Sequence, residues 1–311
     1  MDGAGPVYLV GTTGVGKTAT ALALADRFAV EAAERVPLEI VSADSMQVYR
    51  GLDILSAKPT PGERARVPHH LIDILDVTEP FSAAEFKRLA EAAIADIERR
   101  GTRALVVGGT GLYVKALADG LFDGPEASSN VRQRLLDEAE SKGTDHLHAR
   151  LMEVDPAAAD RIARHDVRRI VRALEVYETT GRPISAQQTE WAEPKACVML
   201  GLRLPRATLY ARINARVDAM FEAGAVEEVE RLVAAGIQRS WTAMQAIGVR
   251  EIIAHRRGER SLDETVRRIK TQTRRYAKRQ LTWFRKDPRI AWYDVADDGG
   301  HIAALAEAIA A

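Results

Sequence analysis

Short apolar runs alternate with alanine-rich or amphipathic stretches over the first 118 residues, and this alternation predicts α/β units. Val7-Tyr8-Leu9-Val10 is apolar and strand-prone, and Ala19-Thr20-Ala21-Leu22-Ala23-Leu24-Ala25 is strongly helix-forming. Leu38-Glu39-Ile40-Val41-Ser42-Ala43 reads as a second strand ending on Asp44, and His70-Leu71-Ile72-Asp73-Ile74-Leu75 as a third. Ser82-Ala83-Ala84-Glu85 has capping-box spacing and predicts a helix to about Arg100, stopped by Gly101. Ala104-Leu105-Val106-Val107 is continuously apolar, as a buried parallel strand is, and runs into Gly108-Gly109-Thr110-Gly111.

The texture changes at Asp119-Gly120-Leu121-Phe122-Asp123-Gly124-Pro125. Residues 127–180 hold no strand-like stretch, and Val167, Ile170, Val171 and Leu174 share one helical face that ends at Gly181-Arg182-Pro183. Ala196–Leu202 reads as a strand that returns the chain to the sheet, and the C-terminal third reads as helical. The expected organisation is a core in two parts, 1–119 and 191–311, interrupted by a helical insertion domain over 120–190.

Chemistry enters at residues 11–18. Gly11-Thr12-Thr13-Gly14-Val15-Gly16-Lys17-Thr18 is a complete G-x-x-x-x-G-K-[ST] phosphate loop, set between the predicted first strand and a helix. Its N–H groups and the helix N-terminus would face phosphate oxygens. Lys17 would reach the terminal phosphate, and the Thr18 hydroxyl would be the metal ligand for Mg²⁺. Together with the α/β alternation, this predicts a P-loop NTPase-like parallel sheet flanked by helices, with an all-helical insertion domain and a helical C-terminal region.

Composition narrows the class. The 311 residues are 46% hydrophobic and 28% charged, without a leader or an apolar run near the ~18 residues of a membrane span. The expectation is a soluble cytoplasmic protein, monomeric by default. A single cysteine, Cys197, excludes an intramolecular disulfide framework and a multi-cysteine zinc site. His69, His70 and His165 have no metal-ligand spacing and receive no role.

Lys+Arg and Asp+Glu both number 44, so only the distribution of charge is informative. Between Arg267 and Arg289 there are ten basic residues and one acid, Asp287. At its centre, Lys278-Arg279-Gln280-Leu281-Thr282-Trp283-Phe284-Arg285 interleaves cations with aromatics, which suits phosphates and bases together. Arg161, Arg164, Arg168, Arg169 and Arg172 form a second cluster in the insertion. A solvated helix face is the other reading, but such faces usually mix signs and 267–289 does not.

The strand ending at Val107 runs into Gly-Gly-Thr, where an ordinary NTPase has a metal-binding acid. Asp44 instead ends a strand at the edge where active crevices form, and is either a general base or a helix-cap or turn residue. Arg212 and Arg216, four apart, share a helical face and either clamp phosphate oxygens or are surface arginines.

Several blocks, in order, make the chain resemble a known family. They are the phosphate loop, Ala43–Arg50 with Ala57-Lys58-Pro59, Pro68–Asp73, Val107–Tyr113, Asp166–Glu175, Ala243–Gly248 and Ala277–Arg285. The resemblance is to bacterial-type tRNA dimethylallyltransferases (tRNA isopentenyltransferases), which prenylate the adenosine 3′ of the anticodon. It implies dimethylallyl diphosphate as donor, the anticodon stem-loop of tRNA as acceptor, and Mg²⁺. It makes Asp44 the base, and Lys17, Thr18, Arg212 and Arg216 the other catalytic residues.

The resemblance also implies tRNA contacts. Ser45, Met46 and Gln47 join Asp44 near the adenine edge, Thr110 lies at the Gly-Gly-Thr turn, and Arg132, Arg168, Arg169, Ile170, Val171 and Arg172 come from the insertion. Gln245, Gly248, Arg250 and the segment Lys278–Arg285 complete the set. Turn residues and solvated arginines are the other readings of Thr110 and Arg132.

Departures from the family pattern are Thr12-Thr13-Gly14 in the loop, Leu55-Ser56 for Gly-Thr, and Val249 for Tyr. Two other classes predict different outcomes. A small-molecule or nucleoside kinase would consume ATP and leave the basic tail without a task. A non-catalytic RNA-binding protein would tolerate loss of Asp44.

Overall fold

The computed structural model describes residues 5–31, 37–120, 129–187, 197–296 and 298–310. Among them, β1 (Val7–Gly11), β2 (Leu38–Ala43), β3 (His69–His70), β4 (Arg103–Gly108), β5 (Val198–Arg203) and β6 (Ile290–Asp294) form one sheet. The strand order is β3-β2-β4-β1-β5-β6, and every neighbouring pair is parallel. Along β1 the side chains alternate: Tyr8 and Val10 enter one apolar layer, Val7 and Leu9 the other. All five residues of β1 are buried, which is why the strand reads as an unbroken apolar run.

The helices of the first part of the core are α1 (Lys17–Val30), α2 (Pro61–Arg66), α3 (Ala83–Arg99) and α4 (Gly111–Asp119). α1 contributes Leu24 and Phe28 to one layer, and α3 contributes Phe86, Ile94 and Ile97 to the other. α3 starts where Ser82 predicts, with the serine hydroxyl accepting the Glu85 N–H at 3.1 Å.

The chain divides into two compact units, Met1–Ala118 with Lys195–Ala311, and Asp119–Pro194. Within the second unit are α5 (Ser129–Lys142), α6 (Thr144–Val154), α7 (Pro156–Arg161), α8 (Val167–Thr180) and α9 (Ile184–Gln187). Leu135, Leu147, Leu151, Ile170 and Leu174 form its core. α8 is capped by Asp166, which accepts the Arg169 N–H at 3.2 Å, and ends at Gly181 with φ of 68°. Of the predicted boundary at 119–125, Leu121–Pro125 lies outside the described residues.

The chain then forms α10 (Arg206–Glu222), α11 (Ala225–Ala234), α12 (Val249–Arg256), α13 (Leu262–Phe284) and α14 (Gly300–Ala310). Two expectations need correction. The C-terminal third is not wholly helical: Ile290–Asp294 forms β6, parallel to β5. The third strand is only His69-His70, because Leu71 and Asp73 take left-handed backbone (φ 62° and 57°) and turn the chain away from the sheet. The Asp73 carboxylate there bonds both Lys58 and Arg64, which holds the turn.

Glu228 of α11 secures the segment that follows Asp44. It is 1% exposed, and its carboxylate accepts the N–H groups of Asp53 (2.8 Å), Ile54 (2.7 Å) and Leu55 (3.0 Å). Truncation would leave three inward-facing donors without their acceptor. Glu228→Ala is therefore expected to destabilise the protein by about 2–4 kcal/mol in urea unfolding, with Glu228→Gln intermediate. Equal stability of Glu228→Ala and wild type would refute this role.

Candidate active site

The ends of three neighbouring strands bring the candidate residues together. Ala43 pairs with Gly108, and Gly108 with Val10, so Asp44, Gly109 and Gly11 follow one another across the carboxyl edge of the sheet. Two strand spacings separate β2 from β1, roughly 10 Å. The strand between them carries no side chain at its end, and it can carry none: a β-carbon on Gly108 would stand 2.2 Å from the Ala43 carbonyl oxygen. Asp44 and the phosphate loop therefore stand on either side of a strand end that has no side chain of its own.

Gly14 (φ 79°) and Gly16 (φ 107°) take the left-handed backbone that lets the loop curl. Gly16 is the N-cap of α1, and no acid lies in that helix's first turn to offset its positive end. The Lys17 ammonium donates to the carbonyl oxygens of Gly11 (3.1 Å) and Thr12 (2.9 Å), curling over its own loop. Burial lowers its pKa from 10.5 to about 8; the Asp44 charge opposes that shift and the Arg216 charge adds to it. The Thr18 hydroxyl takes part in no hydrogen bond among the described residues.

α10 lies against the loop, since a β-carbon on Gly14 would stand 2.9 Å from Ile213. Both arginines of that helix come with it. The Arg216 guanidinium reaches the Thr13 hydroxyl at 3.5 Å, and Arg212 lies beside Gly16, 3.9 Å from where a β-carbon there would stand. Burial lowers the pKa of Arg216, with Asp44 opposing. Lys17, Arg212 and Arg216 thus surround the loop with positive charge.

Asp44 is half-buried and oriented: its Oδ1 accepts the Met46 N–H at 2.9 Å. Its Oδ2 takes no hydrogen bond among the described residues. The Ser45 N–H donates to the Thr110 hydroxyl (3.2 Å), which ties this turn to the Gly-Gly-Thr turn. Gln47 is already engaged at both ends of its amide. Its oxygen accepts from Ser42 Oγ at 2.8 Å, and its nitrogen donates to the Ala57 carbonyl at 3.4 Å.

The structure adds Tyr276, which charge and motif reasoning passed over. Its phenol lies beside the side chains of Thr110 and Gln280, and burial, aided by the Asp44 charge, pushes its pKa up to about 12. It is therefore a neutral donor beside Asp44. Its only signal in the sequence was its place four residues before Gln280 on the same helix.

α13 divides the expected RNA segment by face. Lys278, Arg279, Thr282, Trp283 and Arg285 are exposed, Leu281 is half-buried, and Gln280 and Phe284 are buried. The side chains of Gln280 and Phe284 thus belong to the interior, a correction to the expectation that they meet tRNA. A concavity of about 420 Å³ is lined by Arg275, Lys278, Arg279, Thr282, Trp283 and Lys286. Trp283 is 42% exposed yet rests on Gly111, where a β-carbon would stand 2.3 Å from its ring.

The remaining expected contacts divide similarly. In the insertion, Arg168 and Arg169 are exposed, whereas Ile170 and Val171 are core, 0% and 3% exposed, which corrects their assignment as RNA contacts. Arg132 and Arg172 each bond the fully buried Glu175 carboxylate at 2.8 Å, so both hold that unit together. Elsewhere, Arg250 is exposed with its guanidinium 6.0 Å from the Trp241 ring, and Gln245 bonds the Trp241 carbonyl at 3.1 Å. Gly248 is buried with φ of 108°, and a β-carbon there would stand 3.0 Å from Leu55, one of the departures.

No cluster of three or more His, Cys, Asp or Glu among the described residues forms a metal site. Among the described residues, no helix is long and apolar enough to cross a membrane.

The family model described as IPP transferase matches residues 47–287. The tRNA dimethylallyltransferase of Geobacter metallireducens is 52% identical over 291 residues, 93% of this chain and 92% of that one. The Syntrophobacter fumaroxidans tRNA dimethylallyltransferase is 49% identical, covering 96% and 86%. Among solved structures, the full-length tRNA isopentenylpyrophosphate transferase of Bacillus halodurans aligns with a TM-score of 0.71 at 41% identity, covering 99% of this chain and 96% of that one. A eukaryotic dimethylallyltransferase, captured acting on tRNA, aligns with a TM-score of 0.80 at 30% identity, covering 97% and 78%. With a P-loop NTPase-like fold and relatives this similar over nearly its whole length, the chain belongs to the tRNA dimethylallyltransferase family.

Proposed function

We propose that this protein transfers the dimethylallyl group of dimethylallyl diphosphate to the exocyclic N6 amine of the adenosine 3′ of a tRNA anticodon, releasing diphosphate. The observation that carries the proposal is the juxtaposition of Asp44 with the Lys17–Arg216 cluster across Gly108. It puts a carboxylate on one side of the crevice and an anion site on the other.

The allylic C–O bond breaks, and its electron pair leaves with the diphosphate. Donors that meet growing negative charge lower this barrier: the loop N–H groups, Lys17, Arg212 and Arg216. Thr18, whose hydroxyl has no protein partner among the described residues, would hold Mg²⁺ together with the diphosphate oxygens. The bound ion would add fixed positive charge beside the leaving group.

The adenine amine forms the new C–N bond at the same carbon, and its proton passes to Asp44 Oδ2. Thr110 and Tyr276 border that carboxylate and would orient the base. To reach it the adenosine must leave its stack, at a cost of about a few kcal/mol. Phosphate contacts along Lys278, Arg279 and Arg285, with stacking on Trp283, would offset it. Arg168 and Arg169 supply a second basic surface in the insertion unit. Gln47 acts in this reading by holding Ser42 and Ala57 in place.

The test is incubation with Mg²⁺, radiolabelled dimethylallyl diphosphate and unmodified tRNA. Label is expected in the tRNA, on the adenosine 3′ of the anticodon. Phosphorylation of a small acceptor from ATP, with no label transferred, would overturn the reading in favour of a kinase.

A further inference from the structure

Gln280 sits within the basic segment yet turns away from solvent, 6% exposed on the inner side of α13. Its amide is used at both ends. Oε1 accepts the Thr13 N–H at 2.8 Å, and Nε2 donates to the Gly109 carbonyl at 2.9 Å. A β-carbon on Gly109 would stand 2.3 Å from Nε2, so the glutamine occupies the room that this glycine leaves open. One side chain therefore joins the phosphate loop, the end of β4 and the basic helix.

The consequence falls on Thr13. Its N–H is committed to Gln280, while its hydroxyl meets Arg216 at 3.5 Å. The crest of the loop is held from both sides, and its place relative to Arg216 depends on the glutamine. Without Gln280, Thr13 N–H would lose its acceptor in a half-buried setting and the loop would relax. A cradle less well preorganised binds its anion more weakly.

We propose that Gln280 is a positioning residue for the diphosphate site: it sets the phosphate loop from the inner face of the helix whose outer face carries the RNA-binding cations. The proposal rests on the function proposed above for the assignment of that loop to diphosphate. Diphosphate affinity is then sensitive to Gln280, and RNA affinity is not.

The test compares wild type, Gln280→Met and Lys278→Ala in the full chain. Methionine keeps the length and volume of glutamine but neither hydrogen bond. Calorimetric titration with inorganic diphosphate and Mg²⁺ is expected to show about tenfold weaker binding for Gln280→Met, and an anticodon stem-loop RNA to bind within about twofold of wild type. The KM for dimethylallyl diphosphate should rise about tenfold with kcat within about threefold. Lys278→Ala should show the reverse pattern, weaker RNA binding with diphosphate binding kept.

Unchanged diphosphate affinity in Gln280→Met overturns the proposal, and so does a parallel loss of RNA affinity, the mark of a direct RNA contact. If Gln280→Met does not fold, hydrogen exchange in the wild type decides. The Thr13 amide should be protected before any ligand is added, and exchange at the rate of a free loop amide refutes the bond. Wild type that binds diphosphate but transfers no prenyl group would remove the functional reading alone, since the diphosphate titration still decides the role of Gln280.

Discussion

Asp44→Asn is expected to lower kcat for prenyl transfer by about 10²–10⁴, the range that a positioned general base contributes. Asparagine keeps the volume of the side chain, and its oxygen can still accept the Met46 N–H that Asp44 Oδ1 accepts at 2.9 Å. The turn should survive, and tRNA affinity should stay within about twofold, so the loss falls on the chemical step. What goes is Oδ2, which has no hydrogen bond among the described residues and would take the proton from N6. A second effect is built into the cluster. The Asp44 charge raises the Lys17 pKa, so its removal lets burial depress that pKa further. The alkaline limb of kcat/KM for the donor should therefore move to lower pH in the variant. A variant with near wild-type kcat would eliminate Asp44 as the base.

Lys17→Met is expected to lower kcat/KM for dimethylallyl diphosphate by about 10²–10³, the cost of removing one preorganised donor to developing negative charge. The wild type should show the same dependence as a titration. Burial brings the Lys17 pKa down to about 8 in the ligand-free site, so its charge is lost as pH rises through that value. Because kcat/KM reports the free enzyme, it should fall tenfold per pH unit above about pH 8, and Lys17→Met should lack that limb. The stability effect has the opposite sense. An unfolded lysine keeps its proton to about 10.4, so between roughly pH 8 and pH 10.4 the unfolded state binds more protons than the folded one. In that window the contribution of Lys17 to stability rises with pH, and below it the crowded charge is a cost. Lys17→Met should therefore raise the urea midpoint of the ligand-free protein at pH 7 and gain less at pH 10. A midpoint lowered at both values would show that the lysine is stabilising where it lies.

Local chemistry was sufficient for much of this. Eight residues specified the loop, because positive-φ glycines, a lysine and a hydroxyl must follow one another to build it. The Leu38–Ala43 strand and its terminal Asp44, the Ser82 cap and the Gly181 stop were legible for the same reason: each is decided within a few residues. The ordered motif blocks carried the family, and the family carried the reaction.

What only the tertiary structure decided lies where partners are distant. β6 was missed because Ile290–Asp294 is short and becomes a strand by pairing with β5, about ninety residues earlier. The third segment, apolar enough for a strand, stops at His70 because Lys58 and Arg64 hold Asp73 in a turn. Arg132 has its partner in Glu175, 43 residues on, a pairing that no local spacing announces. Gln280 shows the limit most plainly. Periodicity separates apolar from polar positions, and by that measure a glutamine between Arg279 and Leu281 belongs to the outer, solvent-facing side. Its acceptor and donor, Thr13 and Gly109, stand 267 and 171 residues away, and only a folded sheet edge brings them within a hydrogen bond of α13. A buried polar side chain is paired by geometry, and sequence spacing carries no record of it.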